Sequence, residues 1–420
     1  MKKLIVILFI GCSSVFAQFP VWQERGEMPI PVAGAASITD KGNIYIFGGY
    51  SSSTQNFVDY IQKYSTHLSI WKLSEHMMNP RFGFWAGIEN DTVYYFGGLD
   101  DTISNSNSLE LWNIGNPTLT LDTNKIFDRV FSSAVIDSNR ILIFGGNSSA
   151  IIGAQKTPYI VEYSIAGKDI RYQNDSLYSD GDLPEQQMIV KKGNFIYIFG
   201  GVINGVSNRI FKFDVTTHSF ERLPVNLLEP RAGGRAVLNY STGEIYIIGG
   251  YNENNPAMSS VEIFYYSDGS GFNIYPGPAL ITGRCFPIAE YVNEFMFVMG
   301  GYNDSNDPEP TIEALYSVPT IIEGLNTPNK FTLLQNYPNP FNPETNIAFN
   351  VVHSEYVSLE IFNNLGEKVK TLLRSDIDPG RHNLKWNGKN DADVEMPSGM
   401  YLLKLTTRAF SDSKKMILLR

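Results

Sequence analysis

Four arginines stand at matching places along the chain. Arg81, Arg129 and Arg284 each lie 16 residues ahead of a Gly-Gly pair, and Arg231 lies 18 ahead of its own. Guanidinium groups set out in this way could hold carboxylates or a sugar acid through forked hydrogen bonds. They could equally pair with nearby acidic residues and fix the joints between repeated units. Pro184 and Val32 occupy the matching place in two further units and interrupt the set. The remaining chemistry-bearing residues are few. His67, His76, His218, His353 and His382 are scattered, and Cys285 falls within a predicted strand, where it reads as a buried thiol. Ser267 to Gly271 and the oxygen-rich runs Asp100-Asp101 and Asn303 to Asp307 read as solvated turns. No EF-hand, nucleophile elbow, phosphate loop, zinc-protease or dinucleotide motif is present, and no cofactor is expected.

The elements that position these residues follow from an internal repeat. An aliphatic-aromatic run ending in two glycines occurs six times, with first glycines at 48, 97, 145, 200, 249 and 300. After each of the first five pairs, large apolar residues recur seven apart. These are Tyr64 and Trp71, Trp112 and Leu119, Tyr163 and Ile170, Phe213 and Phe220, and Tyr265 and Phe272. A polar turn separates the members of each pair, so each reads as a hairpin. Four antiparallel strands per unit result, and stacking such sheets about an axis buries both faces of each. The sixth unit lacks a fourth strand. Val21 to Arg25, followed by Met28-Pro29, matches the missing strand and its exit, which predicts that the N-terminal strand completes the last sheet.

This pattern resembles kelch repeats over about residues 19–318. The resemblance implies an all-β fold, a six-bladed kelch-type β-propeller over 18–320. The loops after the glycine pairs, Tyr50 to Gln55, Leu99 to Asn107, Asn147 to Gln155, Tyr251 to Ser259 and Tyr302 to Glu309, are long and share one face. Some kelch propellers are copper oxidases, but this chain cannot assemble their two-His, two-Tyr ligand set. Others resemble sialic-acid mutarotases, which use a Glu and an Arg at the channel mouth. By position, Glu185 and Arg231 are the candidates here.

The chain ends bear on location. Met1-Lys2-Lys3, the apolar stretch Leu4 to Ile10 and Val15-Phe16-Ala17 form a secretory signal peptide over 1–17. A linker is expected at 321–330. Residues 331–420 contain Tyr337-Pro338-Asn339-Pro340-Phe341-Asn342-Pro343, short alternating strands, and a basic-apolar ending with Lys414, Lys415, Met416 and Arg420. This segment resembles the type A C-terminal sorting domain of the type IX secretion system. That resemblance implies a small Ig-like β-sandwich, the secretion machinery as partner, and passage via the periplasm to the surface or beyond.

Composition agrees with a large folded core. The 420 residues are 13% aromatic and 18% charged, with a net charge of -10. The acidic balance argues against nucleic acid as a partner, and no apolar run is long enough to span a bilayer. The combined reading is a secreted or surface-held protein that binds a glycan or a protein through its long-loop face. A sugar-acting enzyme and a purely structural surface protein are the alternatives.

Overall fold

The computed structural model describes residues 21–100, 106, 108–114, 119–122, 129–147, 160–172, 183–267, 271–316, 332–336, 339–351, 355–377, 380–407 and 411–420. The leader expected at 1–17, the linker expected at 321–330 and parts of the loops after Gly98 and Gly146 lie outside them. All elements among the described residues are strands. None of the chain described is a helix long and apolar enough to cross a membrane.

Six antiparallel four-stranded sheets follow one another. The first holds Ala36–Asp40, Asn43–Phe47, Tyr60–Ser65 and Ile70–His76, and the second Trp85–Glu89, Thr92–Phe96, Leu109–Asn113 and Leu119–Asp122. The third holds Ser133–Asp137, Arg140–Phe144, Val161–Ser164 and Ile170–Tyr172, and the fourth Met188–Lys192, Phe195–Phe199, Arg209–Asp214 and Phe220–Asn226. The fifth holds Arg235–Leu238, Ile245–Ile248, Val261–Ser267 and Gly271–Pro276. The sixth has only three consecutive strands, Ile288–Val292, Phe295–Met299 and Thr311–Tyr316. Its fourth is Gln23–Glu27, paired antiparallel with Gln23 opposite Ala314. Trp22, just ahead of this strand, is buried among Val261, Ile263, Met296 and Leu315, and its indole N–H donates to Pro278 O at 2.8 Å.

The second strand of each sheet is its most buried element. Ile44, Ile46 and Phe47 are each fully enclosed, as are Ile196, Ile198 and Phe199. These β-branched and aromatic residues suit a strand covered on both faces. The glycine pair ending it has a steric cause. A Cβ on Gly300 would lie 2.3 Å from Val32 O, and one on Gly200 2.2 Å from Arg231 O, so the first glycine makes room for the carbonyl of the next sheet. The second glycine then donates to that carbonyl: Gly301 N to Val32 O at 2.9 Å, Gly201 N to Arg231 O at 2.9 Å.

Two residues before the first strand of each sheet, a second set of bonds joins neighbours in a closed cycle. Gly83 N donates to Gly34 O (2.9 Å), Phe131 N to Gly83 O (2.9 Å) and Gln186 N to Phe131 O (3.0 Å). Gly233 N donates to Gln186 O (2.9 Å), Phe286 N to Gly233 O (2.6 Å), and Gly34 N to Phe286 O (3.1 Å), which returns to the start.

One hairpin departs from the sequence expectation. In the second, third and fourth sheets the residues seven apart are direct partners, as with Phe213 and Phe220. In the fifth, Phe272 faces Tyr266, and Tyr265 faces Asn273. The buried aromatic equivalent to Phe213 is Phe264, not Tyr265. The strand there runs further before it turns, which shifts the apparent pairing.

The C-terminal segment forms two further sheets. One comprises Thr332–Leu333, Thr345–Val351 and Gly380–Trp386, and the other Lys368–Ile377, Glu355–Phe362, Gly399–Thr406 and Ser411–Leu418. Their inward residues, including Ile347, Phe349, Leu359, Ile361, Leu403 and Met416, make one core around Trp386. Trp386 packs on Phe341 and Tyr401 at 5.4 and 5.1 Å between ring centres.

Candidate functional site

The arginines expected to contact a ligand are turned into their own sheets. Arg81, Arg231 and Arg284 are fully buried and Arg129 is nearly so. Arg284 Nη1 donates to Gly300 O (3.2 Å) and Thr311 O (2.8 Å), and Nη2 to Thr311 Oγ1 (2.8 Å) and Glu313 Oε1 (2.7 Å). Arg231 repeats this with Gly249 O (3.0 Å), Ser260 O (2.9 Å), Ser260 Oγ (3.0 Å) and Glu262 Oε1 (2.7 Å). Arg81 uses Gly97 O (3.1 Å), Ser108 and Glu110 in the same way. Arg129 Nη1 donates to Gly145 O at 2.9 Å.

The partner carboxylates also tie down the incoming chain. Glu313 accepts from Ile281 N (2.7 Å) and Thr282 N (3.1 Å), and Glu262 from Leu228 N (2.7 Å) and Glu229 N (3.2 Å). The geometry therefore corrects the expectation of a ligand-holding arginine set. These side chains lock strand 3 and the glycine-pair carbonyl of a sheet to the connection that enters it. Isolated from water, each guanidinium requires such a partner set. Part of the signal was present in the repeat: three arginine units carry Glu110, Glu262 and Glu313 on the third strand, the units with Val32 and Pro184 carry Gln62 and Phe211 there, and the Arg129 unit carries Val161.

Glu185 lies elsewhere, at the end of the sheets where the hydrogen-bond cycle runs. Each residue preceding a cycle member bridges the residue after the glycine pair of its own sheet. The pairs are Ala33 with Tyr50, Phe82 with Leu99, Val130 with Asn147, Glu185 with Val202, Ala232 with Tyr251, and Cys285 with Tyr302. Six equivalent positions thus converge on one mouth. Aromatic rings fill most of it. Phe82 meets Phe131 at 5.9 Å, Phe286 at 5.8 Å, Phe57 at 5.8 Å and Tyr302 at 6.2 Å, and Phe131 meets Phe286 at 5.5 Å. Tyr251 packs on Phe286 at 5.9 Å and Tyr50 on Tyr302 at 6.2 Å. All are half-buried, so the cluster is a floor with part of its surface open.

The fourth sheet supplies a polar wall instead. Asn147 Nδ2 donates to Glu185 Oε2 at 3.1 Å, and Tyr251 Oη donates to Gln186 Oε1 at 2.6 Å. Burial, with the charges of Glu185 and Cys285 adding to it, pushes the Tyr251 phenol up to about 12. It therefore stays protonated and remains a donor. Burial likewise raises the Cys285 thiol to about 11, which leaves it protonated and unreactive at neutral pH.

The cycle members carry a further sign of use. All six have left-handed backbone, with φ from +51° to +67°, yet only Gly34, Gly83 and Gly233 are glycines. Phe131, Gln186 and Phe286 hold the same conformation with a Cβ, at a cost of about 1–2 kcal/mol each. Their side chains are the ones that build the floor and the wall. Sequence reasoning missed them because they fall between the arginine and the first strand, outside the glycine pattern, and only closure of the cycle gathers them. Of the two residues placed together as catalytic candidates, Glu185 is in the mouth and Arg231 is in its own sheet. Among the described residues no His, Cys, Asp and Glu side chains gather as a metal site.

In the last strand, Lys415 is exposed while Met416 and Leu418 are buried. Ile417 N donates to Asn339 Oδ1 (2.7 Å), Leu419 N to Phe341 O (2.9 Å), and Arg420 Nη1 pairs with Glu395. The ending is thus an integral part of that core, bound to the proline-rich turn.

Comparison with known proteins bears on both parts. Residues 335–419 match the family model described as a secretion system C-terminal sorting domain. Two proteins of Arabidopsis thaliana named as F-box/kelch-repeat proteins are 38% identical over 77 residues and 40% identical over 73. These stretches are 18% and 17% of this chain, and the chain spans 19% of the length of each relative. The solved structure of YjhT superposes with a TM-score of 0.57 at 14% identity, covering 70% of this chain and 97% of that one, a likeness of fold alone. The chain thus combines repeated four-stranded sheets with the fold of a kelch-type β-propeller and, at residues 335–419, a secretion system C-terminal sorting domain, which indicates export by type IX secretion to the cell surface or outside.

Proposed function

We propose that the protein is a six-bladed propeller that acts outside the cell as a binding module. It takes a glycan or a protein at the mouth lined by Phe82, Phe131, Phe286, Tyr251, Gln186 and Glu185. The observation that carries this reading is the presence of Phe131, Gln186 and Phe286 in left-handed backbone where glycine would serve the fold at lower cost. A half-open aromatic floor beside a short polar wall is the usual make-up of a ligand site. The domain limits are 1–17 for the leader, 18–320 for the propeller, 321–330 for the linker and 331–420 for an Ig-like sorting domain. Lys414, Lys415, Met416 and Arg420 belong to its export signal. The enzymatic alternative keeps Glu185 but loses Arg231 as its companion, since that guanidinium is bound to Glu262 and Ser260.

The test is an array of neutral, acidic and amino glycans together with extracellular proteins, probed with the exported protein and with Gln186→Gly. Relief of backbone strain should let this variant fold as well as the parent. Ligands captured by the parent and lost by the variant support the reading. An array on which the parent captures nothing rejects it.

A further inference from the structure

We infer that the mouth takes an uncharged saccharide and turns away acidic sugars, an inference that rests on the binding reading above. Three features of the mouth point to that class.

The first is the floor. Phe82, Phe131 and Phe286 meet one another at 5.5 to 5.9 Å and remain partly exposed. Phe131 and Phe286 stack at 27° while Phe82 meets them edge-on at 90° and 63°, so the rings fill the space between them and leave no cage for a cationic head group. They offer instead a shallow apolar platform, which suits the C–H face of a pyranose ring.

The second is the set of polar atoms left over. Glu185 Oε2 and Gln186 Oε1 are engaged with Asn147 and Tyr251. Glu185 Oε1 and Gln186 Nε2 have no hydrogen-bond partner among the described residues. Asn147 Oδ1 is buried and also has none. A buried acceptor without a donor is costly, so it marks a place that something should fill. Two acceptors and one amide donor around an aromatic floor match sugar hydroxyls, which both donate and accept.

The third is charge. The described loop residues on this side, 50–57, 99–100, 202–208, 251–259 and 302–309, include Asp100, Glu253, Asp304, Asp307 and Glu309 but no Lys, Arg or His. The four arginines that might have answered an anion are enclosed in their sheets. The Arg235 guanidinium, on the first strand of the fifth sheet, is already held by Pro287 O and Ala35 O at 2.9 Å each, so a sugar carboxylate entering beside Glu185 would meet its repulsion, and the part-enclosed setting weakens solvent screening.

The experiment is calorimetric titration of the full chain with a neutral oligosaccharide, the same oligosaccharide bearing a carboxylate, and its amino-sugar analogue, at low and high salt. The neutral compound should bind with an affinity that salt leaves unchanged, and the acidic one should bind at least tenfold more weakly. Glu185→Gln should bring the acidic compound to within about threefold of the neutral one. Gln186→Gly should weaken the neutral compound at least fivefold while leaving thermal unfolding in place. Tighter binding of the acidic or amino compound, or a steep salt dependence, overturns the inference and leaves a binding module standing. Capture of protein ligands but of no saccharide does the same. Absence of any ligand rejects both.

Discussion

At the scale of single residues, the arginines show how far chemistry depends on what surrounds it. A guanidinium that reads as a ligand donor in sequence becomes an internal brace once Glu313 and Thr311 lie beside Arg284. Arg284→Ala should therefore cost about 3–5 kcal/mol of stability, because Glu313 is left buried without its cation. Denaturant unfolding measures this, and ligand affinity of the folded fraction should stay unchanged. An equal loss of affinity with intact stability would restore the ligand role. Tyr251 gives a pH prediction. Its phenol is held at about 12, above the ordinary value of 10.0, so its proton is bound more tightly in the folded chain. The corresponding stability is fully present below pH 10 and is lost as pH rises through about 12. Tyr251→Phe should remove one late-titrating phenol from an alkaline absorbance titration and flatten that part of the stability profile.

Among the elements, the second strand with its two glycines was readable because it is enclosed on both faces and allows few alternatives. The missing strand of the last sheet was readable for the same reason: a repeat that lacks one piece specifies where that piece must go. The fifth hairpin was misread by one residue because Phe264, Tyr265 and Tyr266 are all aromatic, and spacing alone cannot choose among them. The mouth was illegible because its positions, though equivalent from sheet to sheet, do not repeat a residue type: Phe131, Gln186 and Phe286 stand where other sheets have Gly34, Gly83 and Gly233. A prediction belongs to the closing strand. Trp22→Ala removes an indole packed between the fifth and sixth sheets and should cost about 3–5 kcal/mol. If thermal unfolding is unchanged, the strand Gln23–Glu27 is not needed for closure.

For the whole molecule, the sorting domain and the proposed binding mouth belong to separate parts of the chain. The final strand Ser411–Leu418 puts Met416 and Leu418 into the core while Lys415 faces out. Met416→Asp should bury an unpaired carboxylate, unfold the sorting domain and leave the protein in the periplasm, which cell fractionation would show. Lys415→Ala should leave the fold intact, so retention of that variant would locate recognition in the exposed lysine itself. Secretion of Met416→Asp at the normal level would mean that the machinery reads the segment without its fold.

Among the described residues the first strand in chain order, Gln23–Glu27, pairs with the last strand of the repeats, since Gln23 lies against Ala314. Assembly of the six sheets cannot be finished stepwise from the N-terminus. A nascent or partly translocated chain stays open at one seam until residues 311–316 have arrived, and only then can both free edges disappear together. A protein that must cross two membranes gains from this order of events, because its most resistant form is postponed until the repeats have been delivered in full.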